Sequence, residues 1–304
     1  KCSYEELTDK LFWPVIAFCG LGFLEALLQN NFIYLALVRA FPAYNGDCDP
    51  LNKSLFFGDP WRMRISITTW HPSTLGLLLS SIFLFYWPKY LSGTENRMKT
   101  IILLCVVGLT IFLSGSRTAM LCTCFFAVYL WIREKHFYFK ILFAIVAIFC
   151  ILEYSLQFIH FMENSGGSSI SLRQRNMLVC LAAFSEHPVI GHGLGYTSTL
   201  VEKDADGGNV DGAFESVIYH LLIDQGLLGL IVFFIFFGAI IFYFCKSMRK
   251  DNRIEAMAGT AITGSALFFS LLSGFLGRSD TMTFFFIGAC AAFLNQDGDA
   301  ENTE

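Results

Sequence analysis

The chain alternates between long apolar runs and short breaks that carry charge or turn-forming residues. Pro72–Pro88, Thr100–Ser116, Gln225–Cys245 and Ala256–Gly277 contain no charged residue, and each approaches the ~20 residues that a helix needs to cross a hydrocarbon core about 30 Å thick. Thr118–Ile132, Ile141–Leu152 and Thr281–Gln296 are shorter, and snorkelling basic or aromatic residues are expected to complete them. A further run, Leu11–Leu28, is interrupted by Glu25. The pattern predicts an all-α, polytopic transmembrane bundle of about eight crossings.

The breaks divide the chain. Residues 1–154 hold crossings one to five, with an outer loop near 30–73. Residues 155–213 form a large outer loop, 214–296 hold crossings six to eight, and 297–304 are an acidic tail expected to be disordered. The large loop contains a Gly/Ser tract (165–169), a helix expected from Ser171 to Glu186, and the turn-rich His187-Pro188-Val189-Ile190-Gly191-His192-Gly193-Leu194-Gly195. A loop of this length with a helix inside it points to function. Lys89, Arg97 and Lys99 cluster in one short loop, Arg133, Lys135 and Lys140 in another, and Lys246, Arg249, Lys250 and Arg253 in a third. Assigning all three to the cytoplasm gives a consistent alternation with both termini inside.

Composition agrees with a bilayer. Hydrophobic residues make up 55% and charged residues 15%, against about 45–50% and about 25% in soluble domains. The 33 phenylalanines exceed what a soluble core of this size would bury. A net charge of -4 offers no basic excess for nucleic acid. Most of the ten cysteines lie in apolar runs without metal-ligand spacing, so they read as small packing residues rather than a disulfide framework. The chain opens at Lys1-Cys2-Ser3, without an initiating methionine or a signal-peptide pattern, and is expected to be the C-terminal part of a longer protein.

The candidate chemistry is the set of arginines that the orientation rule leaves outside. Arg117 sits in Ser114-Gly115-Ser116-Arg117-Thr118-Ala119, between two apolar helices with almost no loop. It either snorkels to the interface or faces an anion, with Ser114 and Ser116 as neighbouring donors, and position alone leaves the two readings level. Arg173 and Arg175 lie on the loop helix, where a solvated face is the simpler account. Arg62 and Arg64 precede the second crossing and could be surface residues. Together the five would suit a diphosphate, because the guanidinium fork matches phosphate oxygens. Glu215, His220 and Asp224 fall where the sixth crossing begins. Glu215 reads as a first-turn acid or a general base, His220 as a packing histidine, and Asp224 as an anchor for a neighbouring helix. Gly191-x-Gly193-x-Gly195 reads as a tight turn, and the small residues Ala258, Gly259 and Gly264 as helix-packing positions. No Walker loop, zinc motif or serine nucleophile elbow is present.

Four separated segments resemble one family. They are Glu25-Ala26-Leu27-Leu28-Gln29; Arg64 through His71-Pro72-Ser73-x-x-Gly76; Leu113-Ser114-Gly115-Ser116-Arg117-Thr118-Ala119; and Arg173, Glu186-His187-Pro188-x-x-Gly191-x-Gly193, then Glu215 with Gln225-Gly226-Leu227-Leu228-Gly229. In this order they resemble the bacterial O-antigen polymerase and ligase superfamily. The resemblance implies a glycosyltransferase of the inner membrane, active on its periplasmic face and using an undecaprenyl-diphosphate-linked glycan donor. Polymer for O-antigen, capsule or exopolysaccharide would be its product. It implies Arg117 and Arg173 as diphosphate-binding catalytic residues and Glu215 as base, with Arg64, Arg175, His71, His220 and Ser116 around the substrate. No metal or other cofactor is expected. Expected partners are the donor, a glycan acceptor, the bilayer, a chain-length regulator and a flippase, and no nucleic acid. Ligases of the family carry a histidine eleven residues before the glycine that Gly226 matches, and that position here is Glu215, which favours a polymerase or a ligase with a carboxylate base. The alternatives are a ligase acting on lipid A-core or another acceptor, and a transporter of anions or lipid-linked glycan.

Overall fold

The computed structural model describes residues 3–28, 30, 32–33, 36, 40, 64–69, 71–93, 97–133, 169–197, 199–200, 216–251, 253–273 and 280–301. Among them are eight helices and no strand: α1 (Tyr4–Leu28), α2 (Pro72–Ser92), α3 (Arg97–Ser114), α4 (Arg117–Arg133), α5 (Ser169–Glu186), α6 (Val217–Asp251), α7 (Ile254–Ser273) and α8 (Asp280–Glu301). Helices within Tyr4–Leu28, Arg97–Ser114, Val217–Met248 and Ile254–Leu272 are long and apolar enough to cross a membrane. The chain is a polytopic helical membrane protein. Each expected crossing coincides with a helix except Ile141–Leu152, which lies outside the described residues. The acidic tail differs from expectation, since α8 continues through it as far as Glu301.

The chain divides into two compact units, one of residues 1–127, 237–269 and 276–304, the other of 128–236 and 270–275. The first unit is built around α2. Its start is set by His71, whose Nδ1 accepts the Ser73 N–H (3.1 Å), and by Pro72, which needs no helical donor there. Its end is set by Gly93, left-handed at φ 72°. Between them most of α2 is buried, including Leu75, Leu79, Leu84 and Phe85. Lipid tails are as apolar as leucine, so polar and small residues hold such helices together. Thr123 donates to Ser80 Oγ (2.8 Å), Ser80 Oγ lies 3.1 Å from Ser265 Oγ, and Ser81 Oγ lies 3.1 Å from Thr283 Oγ1. Gly259 and Gly264 pack as expected. A Cβ on either would stand 2.4 Å from the ring of Phe244 or Phe126, respectively.

α1 runs antiparallel to α2. Tyr4 donates to the Phe85 carbonyl, Tyr86 donates to the Thr8 carbonyl (2.6 Å), and Lys89 donates to Thr8 Oγ1 (2.6 Å) and Asp9 (2.9 Å). Lys89 is therefore buried and paired, not a free charge of its loop.

In the second unit α5 packs Cys180 and Ala183 against Ile223 of α6, with Val179, Tyr196, Tyr219 and Leu222 around them. The loop helix begins at Ser169, two residues ahead of expectation. α6 is broken at Gly226, where φ is 65° and ψ -159°. In an unbroken helix the Leu227 and Leu228 N–H groups would bond to the Ile223 and Asp224 carbonyls. Here those donors go to the Pro188 and Val189 carbonyls (2.9 and 3.1 Å), while the two carbonyls accept from His192 and Gly193 (both 2.9 Å). The turn after α5 is spliced into the helix, and all four backbone groups stay satisfied. Only glycine fits the crossing: a Cβ on Gly226 would lie 2.6 Å from the Val189 backbone, and one on Gly191 2.5 Å from that of Asp224.

Candidate functional site

The end of the first unit opposite Lys89 collects Arg64, His71, Ser114, Ser116 and Arg117. α3 stops at Gly115 (φ 66°), and one residue later Ser116 caps α4, its Oγ accepting the Ala119 N–H (3.4 Å). Arg117 is thus the first residue of α4, exposed, beside a helix N-terminus that adds partial positive charge. Gly76 lets α2 close on this corner, since a Cβ there would stand 2.7 Å from Ser116 Cβ.

Arg64 enters the same corner from the chain. The Ile65 N–H donates to the Leu113 carbonyl (3.4 Å) and Arg64 Nε to the Ser114 carbonyl (3.1 Å), so the arginine stem lies across Gly115. A Cβ on Gly115 would meet Arg64 Nε at 3.0 Å. Burial lowers the Arg64 pKa, and the positive charge of Arg117 lowers it further. Among the described residues neither guanidinium forms an ion pair with a carboxylate. Arg64, half-buried and held by the Ser114 carbonyl, and exposed Arg117 repel each other, and an anion between them would relieve that repulsion.

His71 borders this corner. Its Nδ1 is an acceptor, which leaves its proton on Nε2. Burial first, and then the charge of Arg64, push the ring down to about 4, so near neutrality it serves as an uncharged donor.

Sequence reasoning did not place Glu25 in the site, although its charge inside an apolar run was visible. Glu25 is fully buried, and its Oε2 accepts the N–H groups of Ser66 (3.3 Å) and Ile67 (2.8 Å). Ile67 has φ 52°, a left-handed conformation that costs a β-branched residue on the order of 1–3 kcal/mol. The carboxylate braces that strained turn, which carries Arg64 at one end and His71 at the other.

The second unit holds the remaining expected residues. Asp224 anchors the spliced turn rather than a neighbouring helix: it accepts the N–H groups of Gly195 (3.0 Å) and Thr197 (2.8 Å) and the Thr197 hydroxyl (2.5 Å). Gly191, Gly193 and Gly195 all have positive φ, as a tight turn requires. His192 stacks on Tyr196 at 4.1 Å, and its Nε2 lies 2.9 Å from the Ala183 carbonyl. His220 is half-buried on α6. Positions 173 and 175 are both on α5 but about 160° apart around it. Position 173 shares a stripe with Asn176 and Cys180, and 175 one with Val179. Glu215 and Arg62 lie outside the described residues, as do the side chains of Arg173 and Arg175.

No curated protein matches the chain. Residues 100–234, from the second residue after Met98 in α3 to the middle of α6, match the family model described as O-antigen ligase. The matched segment contains the Ser114–Ala119 corner, the loop helix and the spliced turn, and over it the chain is similar to the O-antigen polymerase and ligase superfamily.

Proposed function

We propose that the protein is a polysaccharide polymerase that transfers an oligosaccharide from undecaprenyl diphosphate to the end of a growing glycan, at the periplasmic face of the inner membrane. The observation that carries the reading is the pair Arg64 and Arg117, two guanidiniums brought to one corner without an acidic partner among the described residues. A diphosphate would relieve their repulsion. Charge that grows on the departing diphosphate would meet preorganised donors, which is the electrostatic contribution that usually dominates such catalysis. The acceptor hydroxyl oxygen attacks the anomeric carbon, the bond from that carbon to the diphosphate oxygen breaks, and Glu215 takes the hydroxyl proton. By the family resemblance Arg173, with Arg175 as its alternative, is a further diphosphate-binding residue, and Ser116, His71 and His220 are substrate-binding residues. A single displacement inverts the anomeric configuration. A carboxylate at position 215, where the family's ligases have histidine, favours polymerisation over ligation to lipid A-core.

The test is deletion of the gene, complementation with full-length wild type, Arg117→Ala or Glu215→Gln, and separation of surface polysaccharide by size. Loss of the long-chain ladder to a single repeat unit, restored by wild type and by neither variant, is the expected result. Polymer accumulating on its lipid carrier would identify a ligase instead. A full ladder with Arg117→Ala would overturn the diphosphate site.

A further inference from the structure

The turn between α5 and α6 is spliced into α6 at a position whose depth can be counted. From Leu227 to Cys245 the helix has no charged residue, and Asp224 and Lys246 flank that run. At 1.5 Å per residue the unbroken stretch from Leu227 to Lys246 spans about 28 Å, close to the ~30 Å of a hydrocarbon core. Gly226 and the backbone bonded to it therefore lie at the bilayer edge remote from Lys246.

The turn is suited to that depth. Non-helical backbone is tolerated there only when its polar groups are satisfied within the protein, and the exchange with α6 satisfies them at Pro188, Val189, His192 and Gly193. Asp224 is covered by the Gly195 and Thr197 donors. No Asp, Glu, Lys or Arg occurs from His187 to Val201. What the turn presents outward is apolar: Val189 is 62% exposed, Ile190 70% and Leu194 82%. They stand beside Leu227 and Leu228, which are themselves exposed on α6, and the surface continues onto α5 through Leu178 and Leu181.

We propose that this turn is a membrane-inserted wedge, with Val189, Ile190 and Leu194 entering the boundary between headgroups and acyl chains beside α6. Its occupant is bilayer lipid, because the patch is continuous with the lipid-facing side of a spanning helix. A loop that hydropathy alone assigns to water is thus fastened into the membrane edge. The inference holds whether or not the diphosphate reading does.

The experiment uses the full chain in nanodiscs of phosphatidylethanolamine and phosphatidylglycerol. Trifluoromethyl-phenylalanine replaces Ile190 or Leu194 in turn, with Phe236 as a lipid reference and Glu5 as an aqueous one. Fluorine resonances are recorded with lipid carrying a nitroxide near the headgroup, and separately with a water-soluble gadolinium chelate. The expected result is loss of the 190 and 194 signals with the lipid nitroxide and their survival with gadolinium. Loss with gadolinium alone would put the turn in water. Survival with both would mean that protein covers it. Either would overturn the proposal.

Discussion

Burial and the charge of Arg64 hold His71 at about 4, well below the ordinary histidine value near 6.5. A base whose pKa is depressed on folding binds fewer protons folded than unfolded between those two values. Its contribution to stability is therefore complete above about pH 6.5 and is lost as pH falls towards about 4. Thermal unfolding of the detergent-solubilised protein is expected to shift to lower temperature across that window. His71→Asn, which can still cap α2 through its side-chain oxygen, is expected to flatten the dependence; an unchanged slope would remove His71 as its source. At this scale the sequence was informative about Arg117, whose neighbours form a recognisable pattern. It was silent about the brace at Glu25, because the donors that complete it, Ser66 and Ile67, are 41 and 42 residues away.

Helices were the most legible elements, since an uncharged run long enough to cross a bilayer has few other ways to satisfy its backbone. The loop helix was legible too, to within two residues of its start. The splice of the turn into α6 was not. It consists of backbone bonds between distant segments, and its only trace in the sequence is glycine at 191 and 226, which has many other uses. The substitution Gly226→Ala tests it. Alanine must adopt φ 65° and also displace the Val189 backbone, at a cost of at least about 1–3 kcal/mol. A clear fall in melting temperature and faster proteolysis within 187–200 are expected. Gly238→Ala, in the same helix with nothing within 4 Å of the added carbon, should be neutral or stabilising by up to about 1 kcal/mol. Equal behaviour of the two variants would dismiss the splice as a stabilising feature.

For the molecule as a whole, the alternation expected from basic loops has a counterpart in the first unit. The N-terminal end of α1 lies with the C-terminal end of α2 through Tyr4, Thr8 and Lys89, while Glu25, Arg64, His71 and Arg117 lie at the opposite end. With Lys89 paired to Asp9, the orientation expected from this loop rests on Arg97 and Lys99. Alkaline phosphatase fused after Gly93 is expected to be inactive, and active when fused after Gly115. The reverse result would place the arginine corner in the cytoplasm and exclude a periplasmic reaction.

The four backbone bonds exchanged between the turn and α6 also bear on how the protein breathes. Separating the two segments would bare eight polar groups at once, four donors and four acceptors, each costing about 1–3 kcal/mol when buried and unpaired, so no one bond can open cheaply alone. The amide protons of His192, Gly193, Leu227 and Leu228 should therefore exchange with heavy water as one slow cohort, although two belong to a loop, and Gly226→Ala should release all four together.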